Sequence, residues 1–434
     1  MRFTARSWAA LVVGLSSLAQ AQVTRIQHVV FIFKENRSFD HMFGTMAGVN
    51  GATHGKLSTG QTIALSHAPD SSGNYAHNWS AVRIAIDGGK MDAFDETPGC
   101  EPPYGCYSQY SEKDIPNYFS YARNYLIADN FFSSITGPSY PNHLYTIASQ
   151  SGGAVQNPSL HSKRVGAWGC DSPPGTTVLA YDPNSKIYSY ISPCQDFRTL
   201  GDLLDGAGIS WKYYAPPQGS AGFQWSAYDA VKHIRQGPDW QTKVVPVTTF
   251  VSDASNTGTC KLAAVNWVVP DSHDSEHPTA PMSIGQNWTT TQINAVMKGA
   301  CWSTTAIFLT WDDNGGYYDH VAPPELDAFG AGIRVPLLIV SPFVKPGTVY
   351  SKFGSFDSLI AFVEANWRLG SLTERDAKAN NLMDAFHFAA NAEAAPALLL
   401  SKQKAATLSP QQIKLLDRQI LEERNEDEAN ETQP

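Results

Sequence analysis

The amino-acid sequence predicts an α/β fold built on a mostly parallel central sheet. Three observations point there. Several apolar runs are continuous rather than alternating, which suits strands covered on both faces. Helical patterns lie between them, the signature of a layered α/β domain. Two of the runs end abruptly in carboxylate and amide side chains.

The first run is Val29-Val30-Phe31-Ile32-Phe33, which stops at Lys34-Glu35-Asn36-Arg37. The second, Ala306-Ile307-Phe308-Leu309-Thr310-Trp311, stops at Asp312-Asp313-Asn314-Gly315-Gly316. The third spans 335–341, with Pro336 tolerable only near the start of its strand. A helical pattern covers Leu144 to Ser149 after Thr136-Gly137-Pro138-Ser139-Tyr140-Pro141-Asn142-His143. Another runs from Ser358 to Leu369, with apolar Leu359, Phe362, Val363 and Trp367. A final helix is expected over 409–423, with Ser409 as N-cap and Pro410 in the first turn. The middle, about 155–301, is rich in Gly, Pro, Ser, Trp and Tyr and reads as a loop-rich excursion set over the sheet.

Residues 1–21 carry Arg2, Arg6, a short apolar run and Ala19-Gln20-Ala21, the pattern of a secretory signal. The expected organisation is therefore signal 1–21, one domain over 22–408, and a helix with an acidic tail over 409–434. No stretch is long and apolar enough to anchor the chain stably in a membrane. The net charge of −9 argues against nucleic acid as a partner, and loss of the signal arginines makes the chain more acidic still. An anionic substrate would need a local positive device. The six cysteines suit disulfides in a secreted chain, locally Cys100–Cys106 and Cys170–Cys194, leaving Cys260 for Cys301. Asn78, Asn287 and Asn430 head glycosylation sequons.

Taken singly, each polar motif has a structural reading. Glu35 could favour a helix start; Asp312-Asp313 could form a turn; Ser139 could cap the helix that follows. Taken together they say more. Ligands collect beyond the carboxyl ends of strands in open α/β sheets. Three acids gathered there repel one another unless a cation sits between them. Carboxylate and amide oxygens suit a divalent ion, so Glu35, Asn36, Asp312 and Asp313 are the expected ligands. The oxygens lean toward Ca, Mg or Mn, and nearby histidines keep Zn and Fe open. A metal-bound Ser139 becomes a nucleophile, and the helix N-terminus beside it suits a phosphate. His77, His233 and His277 are the candidates for proton transfer; His320 lies in the polar Tyr318-Asp319-His320-Val321.

At this point the residues resemble a known family. Glu35-Asn36-Arg37-Ser38-Phe39-Asp40-His41, Gly137-Pro138-Ser139-x-Pro141-Asn142, Ser275-Glu276-His277-Pro278 and Asp312-Asp313-Asn314-Gly315-Gly316-Tyr317-Tyr318-Asp319-His320-Val321 look like the ordered blocks of the bacterial phosphatidylcholine-type phospholipase C and acid phosphatase family. The resemblance covers about residues 26–390. It implies an alkaline-phosphatase-like α/β sandwich, and one divalent metal on Glu35, Asn36, Ser139, Asp312 and Asp313. It also implies a nucleophilic Ser139, active-site histidines at His77 and His277, and a looser match at His233. The implied activity is phosphate-ester hydrolysis: an acid phosphatase, or alternatively a phospholipase C. A metal-binding glycoprotein on a phosphatase-like scaffold is the non-catalytic alternative. The sequence departs from the family at Asn314, Phe356 and His143, where many members carry His, His and Arg.

Overall fold

The computed structural model describes residues 24–161, 163–164, 166–388 and 396–422. The expected signal segment, the acidic tail after Glu422 and the sequon at Asn430 lie outside the described residues.

Eight strands form the central sheet: β1 (His28–Lys34), β2 (Leu126–Ala128), β3 (Trp211–Ala215), β4 (Val244–Pro246), β5 (Val265–Val268), β6 (Thr305–Trp311), β7 (Leu337–Val340) and β8 (Thr348–Tyr350). Their order across the sheet is β4-β3-β5-β1-β6-β7-β2-β8. Only β7 runs against its neighbours; the other pairings are parallel. β1 lies near the middle, and every residue from Val29 to Lys34 is buried. Phe31 pairs in register with Trp267 of β5 and Phe308 of β6, and its ring lies 5.8 and 5.5 Å from theirs. This aromatic row crosses the centre of the sheet.

The helices include α1 (Phe39–Phe43), α2 (Trp79–Ile86), α3 (Ser139–Ala148), α4 (Met282–Lys298) and α5 (Phe356–Trp367). Successive strand residues face opposite sides of a sheet, and the end of β1 displays this. Phe33 packs edge-on against Phe356 of α5, 5.9 Å away. Lys34, on the other side, sets its ammonium 4.8 Å from the ring of Trp288 on α4. Helices therefore cover both faces, and α3 packs on α5. The continuous apolar runs reflect that two-sided burial.

Three elements differ from their expected limits. The third run contributes a strand only from Leu337, because Pro336 lacks an N–H and its carbonyl instead accepts from Thr310 Oγ1 at 2.7 Å. The helix expected from Leu144 begins at Ser139. The span 155–301 keeps its long loops and two of the disulfides, yet it is not merely an excursion: it supplies β3, β4, β5 and α4. Short strands rich in Trp and Tyr, broken by Gly and Pro, hid that contribution. The pairs Cys100–Cys106, Cys170–Cys194 and Cys260–Cys301 are all bonded. Helix α6 (Pro410–Glu422) closes the described chain. Asn78 is buried and caps α2, and Asn287 exchanges two hydrogen bonds with the backbone of Gln403, so both amides are engaged inside the fold.

One buried acid links α5 to solution pH. Burial first, then the adjacent Asp376, pushes the Glu364 carboxyl up to about 9 from its ordinary 4.5. The folded chain thus holds this proton more tightly than the unfolded chain does. The resulting stabilisation is complete below about 4.5 and is lost as pH rises through about 9. Urea unfolding across that window should show wild type losing stability relative to Glu364→Gln, whose amide resembles the protonated acid.

Candidate active site

The register of β1 against β6 builds the site. Lys34 pairs with Trp311 at the parallel ends of the two strands. The next residues on each, Glu35-Asn36 and Asp312-Asp313, therefore emerge side by side at one edge of the sheet. Adjacent strands run about 4.8 Å apart, so the carboxylates have no room to separate. All four residues are almost wholly buried.

Their hydrogen bonds are directional. Asn36 N–H donates to Asp312 Oδ1 at 2.9 Å, leaving Asp312 Oδ2 with no partner. Asn36 Nδ2 donates to His77 Nε2 at 3.0 Å, leaving Asn36 Oδ1 with no partner. Glu35 Oε1 accepts from His143 Nε2–H at 2.9 Å, leaving Glu35 Oε2 with no partner. Asp313 Oδ1 accepts from Gly315 N–H at 2.8 Å, a turn contact, while its Oδ2 faces Ser139 Oγ at 3.4 Å and His77 Nε2 at 3.9 Å. Burial and the neighbouring Asp312 push Glu35 well above the usual carboxylate range. The same two causes push Asp313 up to about 7. Burial holds His143 below the usual imidazole value.

Three unpartnered, buried oxygens on Glu35, Asn36 and Asp312 are what a divalent cation would satisfy. The donor set fits one, and Glu35, His143 and Asp312 form a group that could hold a metal ion. Asn36 adopts a left-handed conformation, φ +61°, which Asn tolerates better than most residues. Its neighbour across the turn must be glycine. A Cβ on Gly315, itself at φ +59°, would lie 2.5 Å from the Asn36 carbonyl oxygen.

Ser139 is the first residue of α3, and Pro138 before it provides no side-chain cap. Its hydroxyl is thus not consumed by capping; it points at Asp313. The turn that presents it is pinned by Asn142, whose Nδ2 donates to the carbonyls of Gly137 (2.9 Å) and Pro138 (3.1 Å) and whose Oδ1 accepts from Ile135 N–H. Pro141-Asn142 thus acts as a clasp on the serine turn.

The histidines divide. His77 joins the cluster, with Nδ1–H on the Tyr75 carbonyl at 2.7 Å and Nε2 turned to Asn36. His277 flanks it on a loop that abuts the end of β1, where Glu35 N–H donates to Ser275 O at 3.0 Å. Its ring stacks on Trp225, and its Nδ1–H donates to Pro278 O. A buried pair, Lys34 and Glu276, 3.5 Å apart, anchors that loop, with Trp311 Nε1–H donating to Glu276 at 2.9 Å. His233 is not brought into the site. Both its ring nitrogens bind surface carboxylates, Asp196 and Asp202, which push its pKa up against the lowering effect of partial burial. The looser family match that singled it out falls on a surface ion pair. His320 likewise pairs with Asp40, in a buried network with Arg334 and Asp319. His143, one helical turn beyond Ser139, is the residue the sequence reading missed; its i, i+4 spacing from Ser139 was the available signal.

The sequence profile of the Phosphoesterase family matches residues 26–370. The chain belongs to the phosphoesterase family. Among curated relatives, phospholipase C A of Mycobacterium tuberculosis is 25% identical, covering 85% of this chain and 78% of that one. A non-hemolytic phospholipase C of Burkholderia pseudomallei is 29% identical over 84% of this chain and 59% of its own. A crystal structure of an alkaline phosphatase superfamily protein from Vibrio parahaemolyticus is 10% identical, with a TM-score of 0.39 over 84% of this chain and 71% of that one. This phosphoesterase is a hydrolase acting on phosphoric ester bonds. No helix among its described residues is long and apolar enough to cross a membrane.

Gly315→Ala in this phosphoesterase forces either Asn36 or the Asp312-Asp313 turn to move. Both denaturation and metal analysis should register it: a stability loss of more than about 1 kcal/mol, with reduced divalent-metal content in the purified protein.

Proposed function

We propose that this phosphoesterase is a secreted enzyme of the acid phosphatase kind, hydrolysing phosphate monoesters through a phosphoserine at Ser139. The observation that carries the reading is the 3.4 Å approach of Ser139 Oγ to Asp313 Oδ2, at the edge of a buried acid–amide cluster. Glu35, Asn36, Asp312 and Asp313, with the Ser139 oxygen, would hold one divalent cation. That ion would act as a Lewis acid, favouring the serine alkoxide and offsetting charge on the phosphoryl oxygens.

The chain's own residues do the rest. Asn142 holds Ser139 at the start of α3, where backbone N–H groups face a bound phosphoryl group. Asp313 Oδ2 takes up the hydroxyl proton as the Oγ–P bond forms and the ester P–O bond breaks. His77, whose Nδ1–H is fixed on a carbonyl, presents Nε2 3.9 Å from Asp313 Oδ2 to take on that proton and pass it to the leaving oxygen; His277 is the other candidate donor. Water then attacks phosphorus and returns Ser139. Two in-line displacements give net retention at phosphorus. Secretion is supported by the N-terminal sequence pattern and by the three disulfides.

A second reading, phospholipase C, is favoured by the names of the curated relatives and by a cleft beside the serine turn. The cleft has a volume of about 800 Å³ and is lined by Thr136, Trp79, Arg83, Ile84, Tyr188 and Phe329. Ile84 on its wall, and Leu326 and Ile187, each next to a lining residue in sequence, are exposed. Those side chains would suit lipid tails, on walls that also carry Arg83, Glu325 and Asp327.

Ser139→Ala should lower turnover of a soluble phosphomonoester by about 10³-fold or more, and chelation should abolish it. Rapid-quench mass spectrometry should find phosphate on Ser139 of the wild type; full activity in Ser139→Ala without any adduct rejects the mechanism. Faster turnover of phosphatidylcholine vesicles than of the monoester would replace the first substrate reading by the second.

A further inference from the structure

We propose that His143 is a direct nitrogen ligand of the active-site cation, and that it turns an oxygen site into a mixed nitrogen–oxygen site selective for zinc- or iron(II)-type ions over calcium and magnesium. The inference rests on the metal-site reading above and extends it to the identity of the ion.

The helix places the residue. Ser139 and His143 lie four residues apart in α3, so they share a face. Ser139 Oγ points at Asp313, and His143 Nε2 lies 2.9 Å from Glu35 Oε1 and 3.7 Å from Asp312 Oδ2. Ligands held at about 2.0–2.1 Å from one ion sit about 2.9–3.4 Å apart, depending on the coordination geometry. The observed separations bracket that range. All three side chains are at most 2% exposed. A shared ion satisfies both carboxylates and the imidazole at once. His143 Nδ1 is also buried without a partner. Coordination through Nε2 moves the ring proton to Nδ1, giving up the Nε2–H bond to Glu35 Oε1 while breaking none at Nδ1. Imidazole suits zinc and iron, whereas calcium and magnesium take oxygen ligands.

The test uses the whole protein, stripped by chelator and reloaded. Zinc K-edge absorption spectroscopy of the zinc-loaded wild type should show imidazole scattering that weakens in His143→Gln, a variant that keeps a hydrogen-bond donor for Glu35. Calorimetric titration should show zinc affinity falling by at least about 100-fold in the variant, beyond the about 10- to 100-fold typical of losing a group that only orients a ligand, while calcium affinity changes little. Bound zinc with an oxygen-only spectrum in wild type overturns the inference and leaves the metal-site reading standing, and that measurement does not depend on the variant folding. An unchanged zinc-to-calcium preference in His143→Gln overturns it as well. Failure of the stripped wild type to bind any divalent ion overturns both.

Discussion

The constraint on which the rest depends is electrostatic. Parallel pairing of β1 with β6 in the register Lys34 to Trp311 forces Glu35, Asp312 and Asp313 together out of water. Like charges that close, in a low-dielectric interior, cannot all remain ionised without compensation. Lys34, the lysine next to Glu35 in sequence, points to the opposite face and pairs with Glu276 instead. The remedies are protons or a bound cation. Burial and the neighbouring Asp312 push Glu35 and Asp313 up, and three orphaned oxygens mark where an ion would bind.

The proposed function rests on what is set around that cluster. A serine that would otherwise be an ordinary helix-start residue is aimed at it by the Asn142 clasp. Glycine at 315 lets two turns pass at backbone distance. The Lys34–Glu276 pair, buried behind the site, ties the His277 loop to the end of β1. Each of these makes the carboxylate geometry stiff, so that the groups are already placed before substrate arrives.

Much of this was legible in the sequence. Uninterrupted apolar runs revealed β1 and β6 because central strands bury both faces. Their abrupt polar endings marked the sheet edge where the acids gather, and Pro141-Asn142 marked the turn that sets Ser139 beside Asp313. Strands β3 to β5 were harder. Segments such as Trp211–Ala215 are short, aromatic and flanked by Gly and Pro, and only long-range pairing, through β5 to β1, makes them strands. His233 was singled out only by a loose family match, and carboxylates distant in sequence, Asp196 and Asp202, hold it in a surface ion pair. His143 was overlooked because its partners, Glu35 and Asp312, are distant in sequence and only the fold brings them within reach.

The most direct test is anomalous diffraction from crystals grown with a single divalent metal such as zinc. The account predicts one strong peak, about 2.2 Å from oxygens of Glu35, Asn36, Asp312 and Asp313 and within reach of Ser139 Oγ. A fully loaded, active enzyme whose metal lies elsewhere, with these side chains unligated, would contradict it.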